Sequence, residues 1–274
     1  MKSLHLAERW PLLGNLRPRP DRANALAHYA RLAARYETST TPIRNVRRRS
    51  IDLLDPQPGE TVFDVACGAG GMLVDLAARV GASGQVIGIE QSPQMAALAR
   101  AASAGRVSIR VLESAVEECV APRPADALLF CYTHDVLQNP QALARLFAQA
   151  RPGARVAVAG LCLLPWWGSP IDAWVMWRAR CYLSTWHGLR RPWALLLDYC
   201  PDLQIVGRFH LGTGYLGHGT LGRNSKLAYH TGVVPEPASL RLRDLSLERC
   251  GVIVERNNAA MGTGSSQVSS GSLH

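Results

Sequence analysis

Four ionisable residues, at three places in the chain, stand where a wound sheet could do chemistry. Asp64 lies near the end of the apolar run 61–66, just ahead of the glycine-rich turn Cys67-Gly68-Ala69-Gly70-Gly71. Glu90 closes a second apolar run ~20 residues beyond that turn, the separation that brings an acid to a ribose in wound sheets generally. His134 and Asp135 follow a third run, 125–132. A carboxylate accepts two hydroxyl donors at once, and glycines let the backbone approach a ligand closely. A strand, turn and helix of this kind binds an adenosine group. His134 titrates near neutrality and Asp135 is its neighbour in sequence, so the pair reads either as a general base with its orienting acid or as a polar loop residue beside a turn former.

These groups need strands to carry them. From residue 58 the sequence alternates strand and helix with short turns, which predicts a parallel sheet covered on both faces. Strands are expected at 61–66, 85–90, 107–112, 125–132 and 155–161. Helices are expected over 72–80, 94–104 and 141–150, with Ser92-Pro93 and Asn139-Pro140 as starts. Residues 203–211 and 214–221, separated by Gly212-Thr213-Gly214, read as an antiparallel hairpin at the sheet edge. Two helices, 23–36 and 42–54, precede the first strand; the second carries Arg44, Arg47, Arg48 and Arg49, either a solvated face or an anion-binding rim. The fold class is therefore α/β, a Rossmann-like doubly wound, seven-stranded, mostly parallel sheet with an antiparallel edge hairpin. Residues 1–56 form an arm with lid helices, 57–221 the nucleotide-binding domain and 222–274 an extension ending in a serine and glycine tail expected to be disordered.

The 274-residue chain is 47% hydrophobic and carries a net charge of +9, enough for a large core and a basic surface. No basic run is interleaved with aromatics in the manner of a nucleic-acid groove, so nucleic acid is not expected as a partner. The seven cysteines are scattered and never spaced C-x-x-C, which indicates neither a disulfide framework nor a zinc site. Charged residues near the start and the shortness of the longest apolar run, 156–167, point to a reducing, cytoplasmic setting. Six of the seven tryptophans lie between 166 and 193. They either wall an acceptor site or complete a core or a dimer interface.

The turn departs from the dinucleotide pattern G-x-G-x-x-G, because Leu73 stands where the third glycine would be. Asp64-Val65-Ala66-Cys67-Gly68-x-Gly70 resembles class I S-adenosylmethionine-dependent methyltransferases, in particular the branch of the ubiquinone and menaquinone biosynthesis enzymes and related small-molecule methyltransferases. The resemblance extends over most of residues 24–221. His28-Tyr29-Ala30-Arg31-Leu32-Ala33-Ala34-Arg35-Tyr36 is similar to the helix ahead of the sheet that often lies over the cofactor. Gly88-Ile89-Glu90-Gln91-Ser92-Pro93-Gln94-Met95 is similar to the second motif, and Arg151-Pro152-Gly153 to the turn before strand five. One position differs: where the family often has an acid before alanine after strand three, to bind the adenine amine, this chain has Ser114-Ala115 preceded by Glu113.

The resemblance implies S-adenosyl-L-methionine as cofactor, with Tyr36, Asp64, Ala66, Gly68, Gly70, Glu90, Gln91, Met95, Ser114, Ala115 and Tyr132 around it. It also implies an acceptor cap inserted at 165–200, with Tyr29, Trp166, Trp174, Trp177 and Arg190 toward a small-molecule acceptor. Direct in-line displacement needs no metal and no covalent enzyme intermediate; the protein positions the reactants and excludes water. The tryptophans suit a hydrophobic or aromatic acceptor, quinol-, isoprenoid- or lipid-like. Two other readings stay open: the cofactor serves structure or non-transferase chemistry, or the basic, tryptophan-bearing segment makes a peripheral membrane contact.

Overall fold

The computed structural model describes residues 22–33, 43–164, 170–179 and 182–222. Tyr36, Trp166, Trp167, the arm 1–21 and the extension beyond residue 222 lie outside the described residues. In chain order the elements are α1 (Arg22–Leu32), α2 (Arg44–Leu54), β1 (Thr61–Val65), α3 (Leu73–Val80), β2 (Gln85–Glu90), α4 (Pro93–Ala102), β3 (Ile109–Glu113), β4 (Ala125–Cys131), α5 (His134–Leu137), α6 (Pro140–Phe147), β5 (Ala150–Leu161), α7 (Pro170–Ala179), β6 (Gln204–Phe209) and β7 (Gly214–Thr220). The seven strands form one sheet in the order β3-β2-β1-β4-β5-β7-β6. The first five pair in parallel, and β7 runs antiparallel to both β5 and β6.

Strands β1 and β4 are apolar at almost every position because both sheet faces are covered. One face packs Val62 and Leu129 under Ile51 and Leu54 of α2 and Leu73, Leu76 and Val80 of α3. The other packs Phe63 and Phe130 under Leu143, Leu146 and Phe147 of α6, with Trp193 and Leu196. Burying each such side chain contributes about 1.5–3 kcal/mol. The cap residues act as their types dictate: Ser92 Oγ accepts from Met95 N, and Asn139 Oδ1 accepts from Gln141 N at 3.0 Å and Ala142 N at 3.2 Å.

Three differences from the sequence reading have local causes. Strand β5 begins at Ala150, because Pro152 and Gly153 are taken up in a register shift opposite Ala125 and Ala127 instead of forming a separate turn. The residues after β4 are no open loop, since His134 starts the short helix α5. On α2, Arg44, Arg48 and Arg49 are exposed, but Arg47 packs over the glycine turn; a Cβ on Gly71 would lie 2.8 Å from its Nη1. Trp193 also serves the core, tilted against Tyr215 with the Arg208 guanidinium over its ring. No described helix is long and apolar enough to cross a membrane.

Candidate active site

The strand order reverses between β1 and its neighbours β2 and β4, and the crevice opens beyond their carboxyl ends. Two non-glycine residues there have a left-handed backbone, Ala66 after β1 (φ 52°) and Tyr132 after β4 (φ 60°). Such conformations cost about 1–3 kcal/mol each and persist where surrounding structure over-determines them. Here the next strand does so: Cys67 N donates to Ile89 O at 3.0 Å and Tyr132 N to Ala159 O at 2.8 Å. The chain is thereby turned aside at both strand ends.

Glu90 ties the crevice together. One carboxylate oxygen accepts from Gly68 N at 2.9 Å and the other from Ser92 N at 2.8 Å. Burial pushes its carboxyl up, and the amides of Ser92, Gly68 and Gln91 pull the other way. Each oxygen keeps acceptor capacity for a ligand hydroxyl. Ala66, Gly68, Glu90, Gln91 and Tyr132 line a cleft of about 140 Å³, with Val116 and Glu117 beyond β3 and Arg22 and Tyr29 from α1.

Asp64, within β1, is fully buried, and neither carboxylate oxygen has a hydrogen-bond partner. Burial pushes its carboxyl up to about 7 against the pull of Arg47, and Glu90 adds to the rise. The folded pKa exceeds the unfolded value of 3.8, so the fold binds the proton more tightly. That stabilising contribution is full below pH 3.8 and is lost as pH rises through about 7. Asp64→Asn removes this dependence. The variant's thermal midpoint is expected to gain on that of the wild type as pH is raised from 4 to 8 in calorimetric scans; parallel midpoints across that range would refute the assignment.

Beside the cleft lies a second cavity of about 740 Å³. Trp174, Val175 and Ala179 of α7 form one wall, and Gly160, Leu161 and Tyr215 of the sheet form another. Tyr132, Thr133 and His134 line both cavities, as do Tyr29 and Tyr182. Tyr29 Oη donates to the Tyr182 carbonyl at 3.0 Å, joining α1 to the segment after α7.

His134 and Asp135 are not partners. Asp135 accepts from Ser184 N at 3.2 and 3.3 Å and from Ser184 Oγ. His134 Nε2 lies 2.9 Å from the His187 carbonyl. A carbonyl only accepts, so Nε2 carries the hydrogen and Nδ1 is a bare acceptor, without a partner. Burial lowers the His134 pKa to about 4, opposed by the His187 carbonyl and reinforced by the His187 charge. The imidazole is neutral at ordinary pH.

The other residues singled out from the sequence are dispersed. Gly70 packs against Ala99 of α4, and Met95 is fully buried on that helix. Ser114 N donates to the Glu90 carbonyl and Ser114 Oγ to the Ala115 carbonyl. None of these four lines the cleft. Glu113 is paired with Arg100 at 2.8 Å, so the acid that faces the cleft beyond β3 is Glu117. Trp174 lines the large cavity, whereas Trp177 and Arg190 line neither; Arg190 donates to the Leu164 carbonyl. Val116, Glu117, Tyr182 and the stretch His210–Tyr215 were missed; Val116, Glu117 and His210 could have been signalled by their place after strand ends, and Tyr182 by its place in the segment 165–200.

Known proteins share this arrangement. Residues 62–154 match the family described as "Methyltransferase domain". Those residues form a class I S-adenosylmethionine-dependent methyltransferase domain. The chain is 33% identical over 138 residues to nocamycin O-methyltransferase of Saccharothrix syringae, covering 48% of this chain and 49% of that protein. It is 32% identical over 114 residues to 2-phytyl-1,4-naphtoquinone methyltransferase of Thermosynechococcus vestitus, covering 41% and 51%. The chain spans about half the length of these curated relatives. In fold, the methyltransferase domain and its flanking elements are similar to N-methyltransferase NodS of Bradyrhizobium japonicum in complex with S-adenosyl-L-homocysteine. That likeness has a TM-score of 0.53 at 13% identity and covers 72% of this chain and 98% of the other. S-adenosyl-L-methionine is the cofactor that the resemblance in sequence implies for this domain. The cleft suits it in that Glu90 presents acceptors for paired hydroxyls, whereas Asp64 is fully buried and does not line the cleft.

Proposed function

We propose that this chain methylates a small hydrophobic or aromatic acceptor, quinol-, isoprenoid- or lipid-like, using S-adenosyl-L-methionine. The observation that carries this reading is the meeting of the cleft with a large apolar cavity along Tyr132, Thr133 and His134. When bound, the cofactor supplies a sulfonium methyl that a nucleophile displaces in line. Glu90 accepts from the ribose hydroxyls while holding Gly68 and Ser92. Ala66 and Gly68 bring backbone close to the ligand. Tyr29 and Tyr182 shelter the reacting centre from water. The relative named for 2-phytyl-1,4-naphtoquinone supports an acceptor with a ring and an apolar tail.

Calorimetry with S-adenosylmethionine, followed by release of S-adenosylhomocysteine over a panel of apolar ring compounds, tests the reading. Absence of cofactor binding overturns it, and binding without release on any acceptor favours the structural or non-transferase role. Trp174→Ala is expected to leave cofactor affinity unchanged and to weaken acceptor affinity roughly tenfold, because the part of this exposed indole that an acceptor would cover is worth about 1.5 kcal/mol. Equal acceptor affinity in the variant would remove α7 from the acceptor site.

Peripheral membrane contact is the second reading, favoured by one observation. Trp174, Trp177 and Leu211 are 59%, 45% and 81% exposed, and Trp174 and Leu211 also line the cavity. Tryptophan favours membrane interfaces. Co-sedimentation with vesicles containing anionic lipid, lost on Trp174→Ala with Leu211→Ser, separates this reading from a cavity that takes its acceptor from solution.

A further inference from the structure

The large cavity has an unusual lining. Among the described residues that surround it there is no Asp, Glu, Lys or Arg. The adjoining cleft, by contrast, is lined by Arg22, Glu90, Glu117 and Asp135. A charged group moved from water into the large cavity would meet no carboxylate, ammonium or guanidinium among the described lining residues and would lose its hydration, a cost of several kcal/mol in real proteins. The cavity therefore selects against carboxylate, phosphate and ammonium groups.

Its unpartnered buried polar atoms come from one short stretch of chain. Among the lining residues, the buried side-chain polar atoms without a partner are Tyr132 Oη, Thr133 Oγ1 and His134 Nδ1. They come from three consecutive residues, and those residues also line the cleft. Buried polar atoms in native proteins are nearly always satisfied, so three together mark the place where a ligand brings polar groups. The histidine decides which kind. With Nε2–H committed to the His187 carbonyl, Nδ1 can only accept, and it calls for a donor. The tyrosine and threonine hydroxyls can then donate to an oxygen beside that donor.

We propose that the acceptor is an uncharged ring compound bearing a phenolic or enolic hydroxyl, that this hydroxyl donates to His134 Nδ1, and that its oxygen is the atom methylated. The inference rests on the methyltransferase reading above and fixes within it the choice among oxygen, nitrogen and carbon. In the transfer, the acceptor oxygen forms the new O–C bond. The S–C bond of the donor breaks with its electron pair left on sulfur, and the hydroxyl proton passes to His134 Nδ1. The positive charge that leaves sulfur reappears on the imidazolium, so charge balances. A methylated hydroxyl is a far stronger acid than an imidazolium, so even this weakly basic histidine can take the proton once O–C bonding is under way. The His187 carbonyl holds the ring through its Nε2–H in both protonation states, and the buried imidazolium then returns its proton to solvent.

The test uses the full chain saturated with S-adenosylhomocysteine, which prevents turnover, and four probes of nearly equal size: 1-naphthol, 1-naphthylamine, 1-naphthoate and 1-methylnaphthalene. Dissociation constants are read by calorimetry. In the wild type, 1-naphthol is expected to bind roughly tenfold more tightly than 1-methylnaphthalene, the value of one added hydrogen bond. It should also bind more tightly than 1-naphthylamine, and 1-naphthoate should not bind detectably. His134→Ala should erase the preference for 1-naphthol while leaving 1-methylnaphthalene and S-adenosylhomocysteine affinities in place. His134→Gln, which keeps an acceptor oxygen, should restore part of it. With S-adenosylmethionine in place of the product, the methyl group in turned-over 1-naphthol should appear in NMR spectra as an aryl methyl ether. Tight binding of 1-naphthoate, equal binding of 1-naphthylamine or 1-methylnaphthalene in the wild type, or a preference for 1-naphthol that survives His134→Ala would each overturn the assignment. Failure of S-adenosylhomocysteine itself to bind would instead refute the underlying methyltransferase reading. The wild-type series stands even if a variant does not fold.

Discussion

Glu90→Gln is expected to weaken S-adenosylmethionine binding by at least about a hundredfold. The native carboxylate accepts from Gly68 N and Ser92 N on its two oxygens. An amide has only one acceptor atom, and its NH₂ group would face a backbone N–H, donor against donor. The turn that carries Gly68 is then untied from β2, and the cofactor's ribose loses one of its two acceptors. Hydrogen bonds to a charged group are worth about 1.5–3 kcal/mol. Loss of one such bond to the ligand, with the turn displaced, amounts to about 3 kcal/mol, or roughly a hundredfold in Kd. Calorimetric titration of the purified variant checks this. A Kd within threefold of the wild type would mean that Glu90 is only a strap between the two turns.

Gly70→Ala should produce the larger loss of stability. Gly70 has φ +81°, and a Cβ there would lie 2.9 Å from Ala99 Cα and 3.1 Å from Ala99 Cβ. Neither atom can yield without moving α4 as a whole. A left-handed backbone costs an L-residue about 1–2 kcal/mol, and overpacking adds about 1–3 kcal/mol. For a domain of this size, that total lowers the thermal midpoint by roughly 5–15 °C. Gly105 provides the control, because its φ is nearly the same at +78° and a Cβ there meets nothing within 4 Å. Gly105→Ala should show the backbone cost alone. Equal drops for the two variants in scanning calorimetry would mean that the contact between the turn and α4 carries no weight.

The sheet was legible because each strand signals itself locally. An apolar run ending in an acid or a glycine turn, with Ser92-Pro93 or Asn139-Pro140 to start the next helix, depends on neighbours in sequence. The cleft's own groups share that property, since Gly68, Glu90 and Gln91 stand at strand ends that the alternation already placed. What the sequence could not disclose was conformation without a residue signature. Nothing in the identity of Ala66 or Tyr132 announces a positive φ, which is imposed by bonds from Cys67 to Ile89 and from Tyr132 to Ala159. Adjacency left a pairing of His134 with Asp135 open, and their side chains are claimed by His187 and Ser184, about fifty positions away. Gly70 and Met95 carry motif positions, but their surroundings are the packing of α4.

Of the described residues lining the large cavity, only Tyr132, Thr133 and His134 fall within residues 62–154, the stretch that matches the methyltransferase family. The rest come from α1, the approach to α2, β5 beyond the matched stretch, α7 with Tyr182 and Leu183 after it, and the residues around β7. On the proposed reading, the donor's cradle and most of the acceptor's walls thus lie in different parts of the chain. Exchange or drift of the outer segments can redirect such a protein to a new molecule while leaving its nucleotide cradle intact. Descent can be read from the inner stretch, whereas on the reading proposed above the shape of the acceptor's apolar body is recorded in the outer ones.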